Sequence, residues 1–330
     1  MNTETIRKIV KASGVSTGEM ILVHFWGEDA DKEIANNFLT AVASLGATPV
    51  LLQQSRTINR AIFSSARESC FDKRFFELLS NFDAVLDVFA YQPVILGYEI
   101  PTEQFELYRK YMSQLFYTLM KSKRFVQIRI PTEANAAESG LKPQDYILRM
   151  NSAYDIDYEA LADACRKKVA SFAGADRVSV HTGMNCVLHL ELAGREWHID
   201  AGDGDLPCGE IYIAPIEDKT QGSMFFDTLY LDDTKYSNVI LQISDGKIVN
   251  SNIPAVINYF TGQPEESRVV CELGIGMNPN VTELSGYTVL DEKMVGTLHI
   301  AVGANTMFGG SNQANNHDDF VGYGRIEVEK

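Results

Sequence analysis

The chain has 330 residues, 45% of them apolar and 22% charged, which is long enough for two domains with separate cores. Its formal net charge of −15 argues against a nucleic-acid partner and against an anionic membrane surface. No run of about 18 apolar residues suggests a membrane span, the N-terminal MNTETIRKIVKASG reads as an amphipathic helix and not as a signal peptide, and the five cysteines (Cys70, Cys165, Cys186, Cys208, Cys271) form no CxxC pair, as expected of free thiols in a reducing cytoplasm.

Strands and helices alternate through the first half. Met20–Gly27 is a continuous apolar run ending in glycine, read as a buried strand containing a core His24. Asp31–Leu45 follows at helical spacing, with Ile34, Phe38, Val42 and Leu45 on one face and Gly46 just past the end. Thr48–Gln54, Asp83–Ala90 and Arg124–Pro131 are further strands, with helices expected at Asn59–Arg67, Asp72–Leu79 and Pro101–Lys121; the aromatic residues of the last are assigned to the core. Buried, non-alternating strands separated by helices indicate an α/β domain with a doubly wound parallel sheet over residues 1–150. The polar stretch Pro131–Asp155 reads as a link, and Asp157–Phe172 as a helix with Arg166, Lys167 and Lys168 set to complement its dipole. After Gly174 the pattern changes to short strands (VSVHTG, CVLHLEL, REWHID, GEIYIAP, SMFFDTLYLDD, NVILQISDGKIVNSN, RVVCELGIG), with hairpin turns expected at Ala193-Gly194 and Asp245-Gly246. Residues 151–330 are therefore expected to form a β-rich (α+β) domain that carries the metal-binding residues.

The candidate chemistry lies in glycine-rich segments near the C-terminus. CELGIGMNPN offers Glu272, LDEKMVGTLHIAVG offers Glu292 and His299, and GGSNQANNHDDF offers His317 and Asp319. Oxygen and imidazole donors without thiolates suit Zn, Mn, Co or Fe(II). Two residues apart in a strand, His317 and Asp319 project to the same side. Taken singly each signal is weak: an HxD also describes a solvated loop, and a lone His299 among apolar neighbours also describes a core histidine. Glu272 and Glu292 lie among apolar residues, where a carboxylate is costly unless paired or metal-bound. Glu210, after the loop AGDGDLPCG, is either a cleft residue or an exposed strand edge. His181, His189 and His198 are read as structural or rim residues, and there is no P-loop, GxGxxG, GxSxG or HExxH.

Over Leu206–Gly322, the wording and order of GEIYIAP, ELGIGMNPN, LDEKMVGTLHIAVG and GGSNQANNHDDF resemble the metallopeptidases of the aminopeptidase T and aminopeptidase S type, a group whose relatives include 2,5-dihydroxypyridine dioxygenase. The resemblance implies two divalent ions (Zn, Co or Mn) held by Glu210, Glu272, Glu292, His299, His317 and Asp319, with Glu272 as the bridging ligand and Glu210 and Glu272 as the catalytic carboxylates. It also implies an N-terminal α/β domain, a C-terminal metal domain and a homodimer acting on a small molecule or short peptide. Two features depart from the peptidase pattern: GANTMFGG, after His299, has no tyrosine where the peptidases have one, and the His299–His317 spacing is shorter.

The resulting expectation is a cytoplasmic, metal-dependent, aminopeptidase-like hydrolase in which a metal-bridged water is activated by the carboxylate and histidine cluster. The alternative is a ring-cleaving dioxygenase with one Fe(II) on His299, His317 and Asp319. Glu272 speaks against it, since the dioxygenase relatives are expected to have histidine there. A homologue that keeps the fold without turnover is the third reading.

Overall fold

The structure, a computed structural model, describes residues 1–93, 99–231 and 234–329, so the two aspartates that end SMFFDTLYLDD lie outside the described residues. The chain forms two compact units, Met1–Tyr158 with Gly202–Cys208, and Glu159–Ala201 with Gly209–Lys330.

The first unit runs α1 (Thr3–Ala12), β1 (Met20–Trp26), α2 (Lys32–Ser44), β2 (Thr48–Gln54), α3 (Arg56–Ser65), α4 (Lys73–Leu79), β3 (Ala84–Phe89), α5 (Thr102–Leu119), β4 (Arg124–Arg129), α6 (Glu133–Glu138) and α7 (Pro143–Tyr154). Next come α8 (Tyr158–Ala170), β5 (Arg177–Thr182), β6 (Val187–Glu191) and β7 (His198–Asp200). The excursion Gly202–Cys208 adds β8 (Asp205–Leu206) to the first unit's sheet. The second unit then continues with β9 (Glu210–Ile213), β10 (Gln221–Leu231), β11 (Thr234–Ser244), β12 (Lys247–Ser251), α9 (Pro254–Thr261), β13 (Val270–Gly276), α10 (Thr288–Asp291), β14 (Leu298–Gly303), β15 (His317–Gly322) and β16 (Gly324–Glu329).

Sheet order in the first unit is β2-β1-β3-β4-β8, and its pairings are all parallel. Every residue of β3 is buried, as expected of a strand covered on both faces. Leu22 and Val85 pack with Phe63 of α3 and with Tyr108, Tyr111, Leu115 and Leu119 of α5, which makes α5 a core helix. His24 is fully buried, with Nδ1 2.8 Å from Asp87 Oδ1, an oxygen that also accepts from Trp26 Nε1. The stretch expected to be a link is instead α6 and α7: Tyr146, Met150, Ala153 and Tyr154 recur at helical spacing and are buried beneath a polar outer face.

Two antiparallel sheets make up the second unit, ordered β12-β11-β10-β6-β5-β16 and β15-β14-β13-β9-β7. Phe226 of β10, Phe260 of α9 and Phe320 of β15 meet edge to face at 5.7–6.5 Å. Asp245-Gly246 is the hairpin turn between β11 and β12, with positive φ at both residues. Ala193-Gly194 differs from its expected role. It joins β6 in one sheet to β7 in the other, so it is a sheet-switching turn and not a hairpin.

Candidate metal centre

The middle of the second sheet is fully buried along β13 and β14. Residues directly opposed in an antiparallel pair project to one face. Glu210 opposes Gly276, His299 opposes Gly274, Ala301 lies between Glu272 and Asp319, and Gly303 opposes His317. Five acidic and imidazole side chains thus share one face, and each has glycine or alanine across from it. The small residues provide the space. A Cβ on Gly274 would lie 1.9 Å from His299 Nε2. A register shift between Val270 and Glu272 brings Glu272 opposite Ala301, the way a bulge re-aims a side chain.

His299 Nε2 lies 3.2 Å from Glu272 Oε1, 3.3 Å from Glu210 Oε2 and 4.0 Å from Asp319 Oδ1. His317 Nε2 lies 3.5 Å from Glu272 Oε2 and 3.8 Å from Asp319 Oδ2. Two donor groups result, Glu210/Glu272/His299 and Glu272/His317/Asp319, joined through Glu272. His317 Nδ1 is 2.8 Å from the Ala304 carbonyl; a proton held there leaves Nε2 as the donor atom facing the carboxylates. His299 and Glu272 are almost completely buried, as is Glu210, which is therefore not an exposed edge residue.

Glu292, just past α10, lies outside both donor groups. Its Oε1 is 2.7 Å from Lys293 Nζ, which is also 2.5 Å from Glu210 Oε1 and 3.9 Å from Asp200 Oδ2. Sequence reading missed Lys293 and Asp200. Lys293 is 1% exposed, and its position directly after Glu292 in an apolar context was the available signal.

Crowding of carboxylates shifts their proton affinities. Burial pushes Asp319 well above the usual carboxylate range, and the charges of Glu292, Glu272 and Glu210 add to it. Burial also raises Glu210, against the pull of Lys293. Glu292 is held low: burial opposes this, but Lys293, His299 and a hydrogen bond with Asp319 outweigh it. Burial disfavours a charged His299, yet the Glu272 hydrogen bond and the surrounding carboxylates hold its pKa above the ordinary value.

Glu210 Oε2 and Asp319 Oδ1 are buried oxygens without a hydrogen-bond donor. Acceptors left this way are costly, and a divalent cation satisfies them. The donor set, carboxylate and imidazole around a shared glutamate, fits Zn, Mn, Co or Fe(II). Beside it, Tyr212 opposes Gly274 on the same face and stacks on His198 at 5.2 Å, while Phe308 meets Tyr212 at 5.4 Å and His317 at 5.9 Å. The remaining histidines of the unit stay apart from the cluster. His189 Nδ1 is 2.7 Å from Ser179 Oγ and 2.8 Å from Glu329 Oε1, and His181 pairs with Glu327 at 3.3 Å.

The model of the thermophilic metalloprotease (M29) family matches residues 9–321 of the chain. The chain belongs to this family. Among solved structures, the M29 chain is similar to wild-type AmpT from Thermus thermophilus, at 16% identity and a TM-score of 0.68 over 98% of this chain and 97% of that one. It is also similar to 2,5-dihydroxypyridine dioxygenase from Pseudomonas putida KT2440, at 14% identity and a TM-score of 0.64 over 99% and 93%. At these identities the likeness is one of fold. Comparison with curated protein sequences gave no match. Family membership makes the chain a metal-dependent peptidase homologue, and the carboxylate and histidine cluster is a candidate place for the metal. Among the described residues, no helix is long and apolar enough to cross a membrane.

Proposed function

We propose that this M29 chain is an aminopeptidase-like hydrolase whose divalent metal is held by Glu272, His299, His317 and Asp319, with Glu210 beside them. The observation that carries this reading is the pair of buried, donor-free oxygens, Glu210 Oε2 and Asp319 Oδ1, that lie 3.3 and 4.0 Å from His299 Nε2 on one sheet face. When bound there, a divalent ion supplies Lewis acidity that acidifies water and polarises a scissile carbonyl. Glu272 stands between the two imidazoles with one oxygen toward each Nε2, so both histidines and the carboxylate can reach one ion. Glu210, whose burial raises its proton affinity, accepts the proton of the attacking water at Oε2 and returns it to the leaving amine. The acidic surroundings attract the free α-amine of a short peptide or small amide. Tyr212, His198 and Phe308 provide an aromatic wall for its first side chain. In this reading the protein acts in the cytoplasm as a homodimer.

The test is to purify the protein without chelator, identify the bound element, and screen aminoacyl anilides and short peptides. Release of the N-terminal residue, lost on chelation and restored by Zn, Mn or Co, supports the proposal. A metal-loaded protein that turns over none of these substrates overturns it. One observation favours a second reading: Asp319 lies within 4.0 Å of both His299 and His317, the two-histidine, one-carboxylate set of mononuclear Fe(II) oxygenases. Bound iron with oxygen uptake on hydroxylated pyridines or catechols would select that reading.

A further inference from the structure

Lys293 is a cation placed inside the donor cluster. Its Nζ lies 2.5 Å from Glu210 Oε1 and 2.7 Å from Glu292 Oε1, with Asp200 Oδ2 at 3.9 Å. Its side chain is 1% exposed, so these carboxylates and not water surround the ammonium. A buried lysine is rare unless paired, and here it takes up one oxygen from each of two residues that could otherwise bind a metal.

Withdrawing those oxygens changes how many ions the face can hold. Each donor group has three side chains, and the two share Glu272. Two ions would each have three protein donors with Glu272 in common, the number of an open catalytic site whose fourth place is taken by water, so the donor count alone allows one ion or two and the lysine charge decides between them. One ion drawing on both groups has Glu272, His299, His317 and Asp319 within reach, with Glu210 Oε2 left beside it. A second ion among Glu210, Glu292 and Asp319 would also have to approach the lysine charge in a poorly solvated setting, where repulsion between like charges is strong.

We propose that the Lys293 ammonium takes the place of a second divalent ion, so that this chain binds one ion per protomer, and that loss of the lysine charge opens the second site on Glu210 and Glu292. The proposal rests on the metal-centre reading above, and ion counting separates the two. The chelator-stripped full-length protein is titrated with Zn(II), with bound zinc counted by calorimetry and by mass spectrometry of the dialysed protein. Wild type is expected to hold one zinc. Lys293→Ala, shown to be folded by circular dichroism, is expected to hold two, and Lys293→Arg, which keeps the cation, one. Two zincs on the wild type would overturn the role of Lys293 and leave the metal centre standing, a result that needs no variant to fold. One zinc on folded Lys293→Ala would overturn it as well. No zinc on the wild type would overturn the metal centre itself and this proposal with it.

Discussion

Gly274 has no side chain because the His299 ring lies where one would be: an added Cβ would come within 1.9 Å of Nε2. Gly274→Ala must therefore turn the imidazole away from Glu272 and Glu210. Zinc affinity should fall by about 10- to 100-fold, the usual effect of disturbing a ligand's support, as measured by titration of the folded variant. Glu272→Ala removes the carboxylate shared by both donor groups. Bound metal and any peptidase activity should be lost while the far-ultraviolet circular dichroism stays native, and retention of full metal would remove Glu272 from the centre. His189→Ala, 2.8 Å from Glu329 and away from the cluster, should leave metal content unchanged. The side chains that the fold gathers on this face were named in the sequence through the family resemblance; the cost of burying a carboxylate among apolar residues marked only Glu272 and Glu292. Lys293 was not legible, since a lysine next to a glutamate reads as an ordinary solvated pair until the fold buries it.

At the level of elements, Glu217 is one of the groups that tie down the loop after β14, alongside Asn305 and Asn312. Glu217 accepts from Asn305 Nδ2 at 3.1 Å and from the Ser311 amide at 2.5 Å, and pairs with Arg195 Nη2 at 2.8 Å. Burial works against its charge, but these hydrogen bonds and the Arg195 charge hold its pKa below the ordinary value. The same loop carries Phe308 and the Ala304 carbonyl that orients His317. Glu217→Ala should cost about 2 kcal/mol in stability by leaving partly buried donors unpaired. Because the loop positions the wall more than the reacting atoms, KM should rise more than kcat falls; a selective loss of kcat would contradict that division. Strand positions in this unit were readable from period and turn residues, but sheet membership was not. Ala193-Gly194 has the composition of a hairpin turn, yet β6 and β7 find their partners in different sheets. The helices α6 and α7 are hard to read for a related reason: four buried residues, Tyr146, Met150, Ala153 and Tyr154, anchor α7 under a polar face, and polarity alone suggests a link.

At the scale of the whole molecule, the doubly wound sheet and the β-rich unit follow from hydrophobic period, whereas the return of Gly202–Cys208 to the first unit has no counterpart in composition. The cluster also sets how stability depends on pH. In the metal-free fold, Asp319, Glu210 and His299 all have pKa values above their ordinary ones. The native state then binds more protons than the unfolded chain over that interval, so stability present at low pH is lost as pH rises through the raised values. Glu217 and Glu292, held low, contribute with the opposite sign, but only as pH falls through the ordinary glutamate value of 4.5 and below. Metal-free protein should accordingly lose stability between that value and neutrality. A divalent ion takes the deprotonated carboxylates and neutral imidazoles, so it competes with protons and binds more tightly as pH rises. At a free-ion concentration of about 100 times Kd the ion adds about 2.7 kcal/mol, a rise of about 5–10 °C in Tm for a unit of this size. Melting curves with chelator and with Zn(II), taken from about pH 5 to about pH 7.5, should therefore diverge as pH increases. Curves that stay parallel would mean that the buried carboxylates are not where the ion binds.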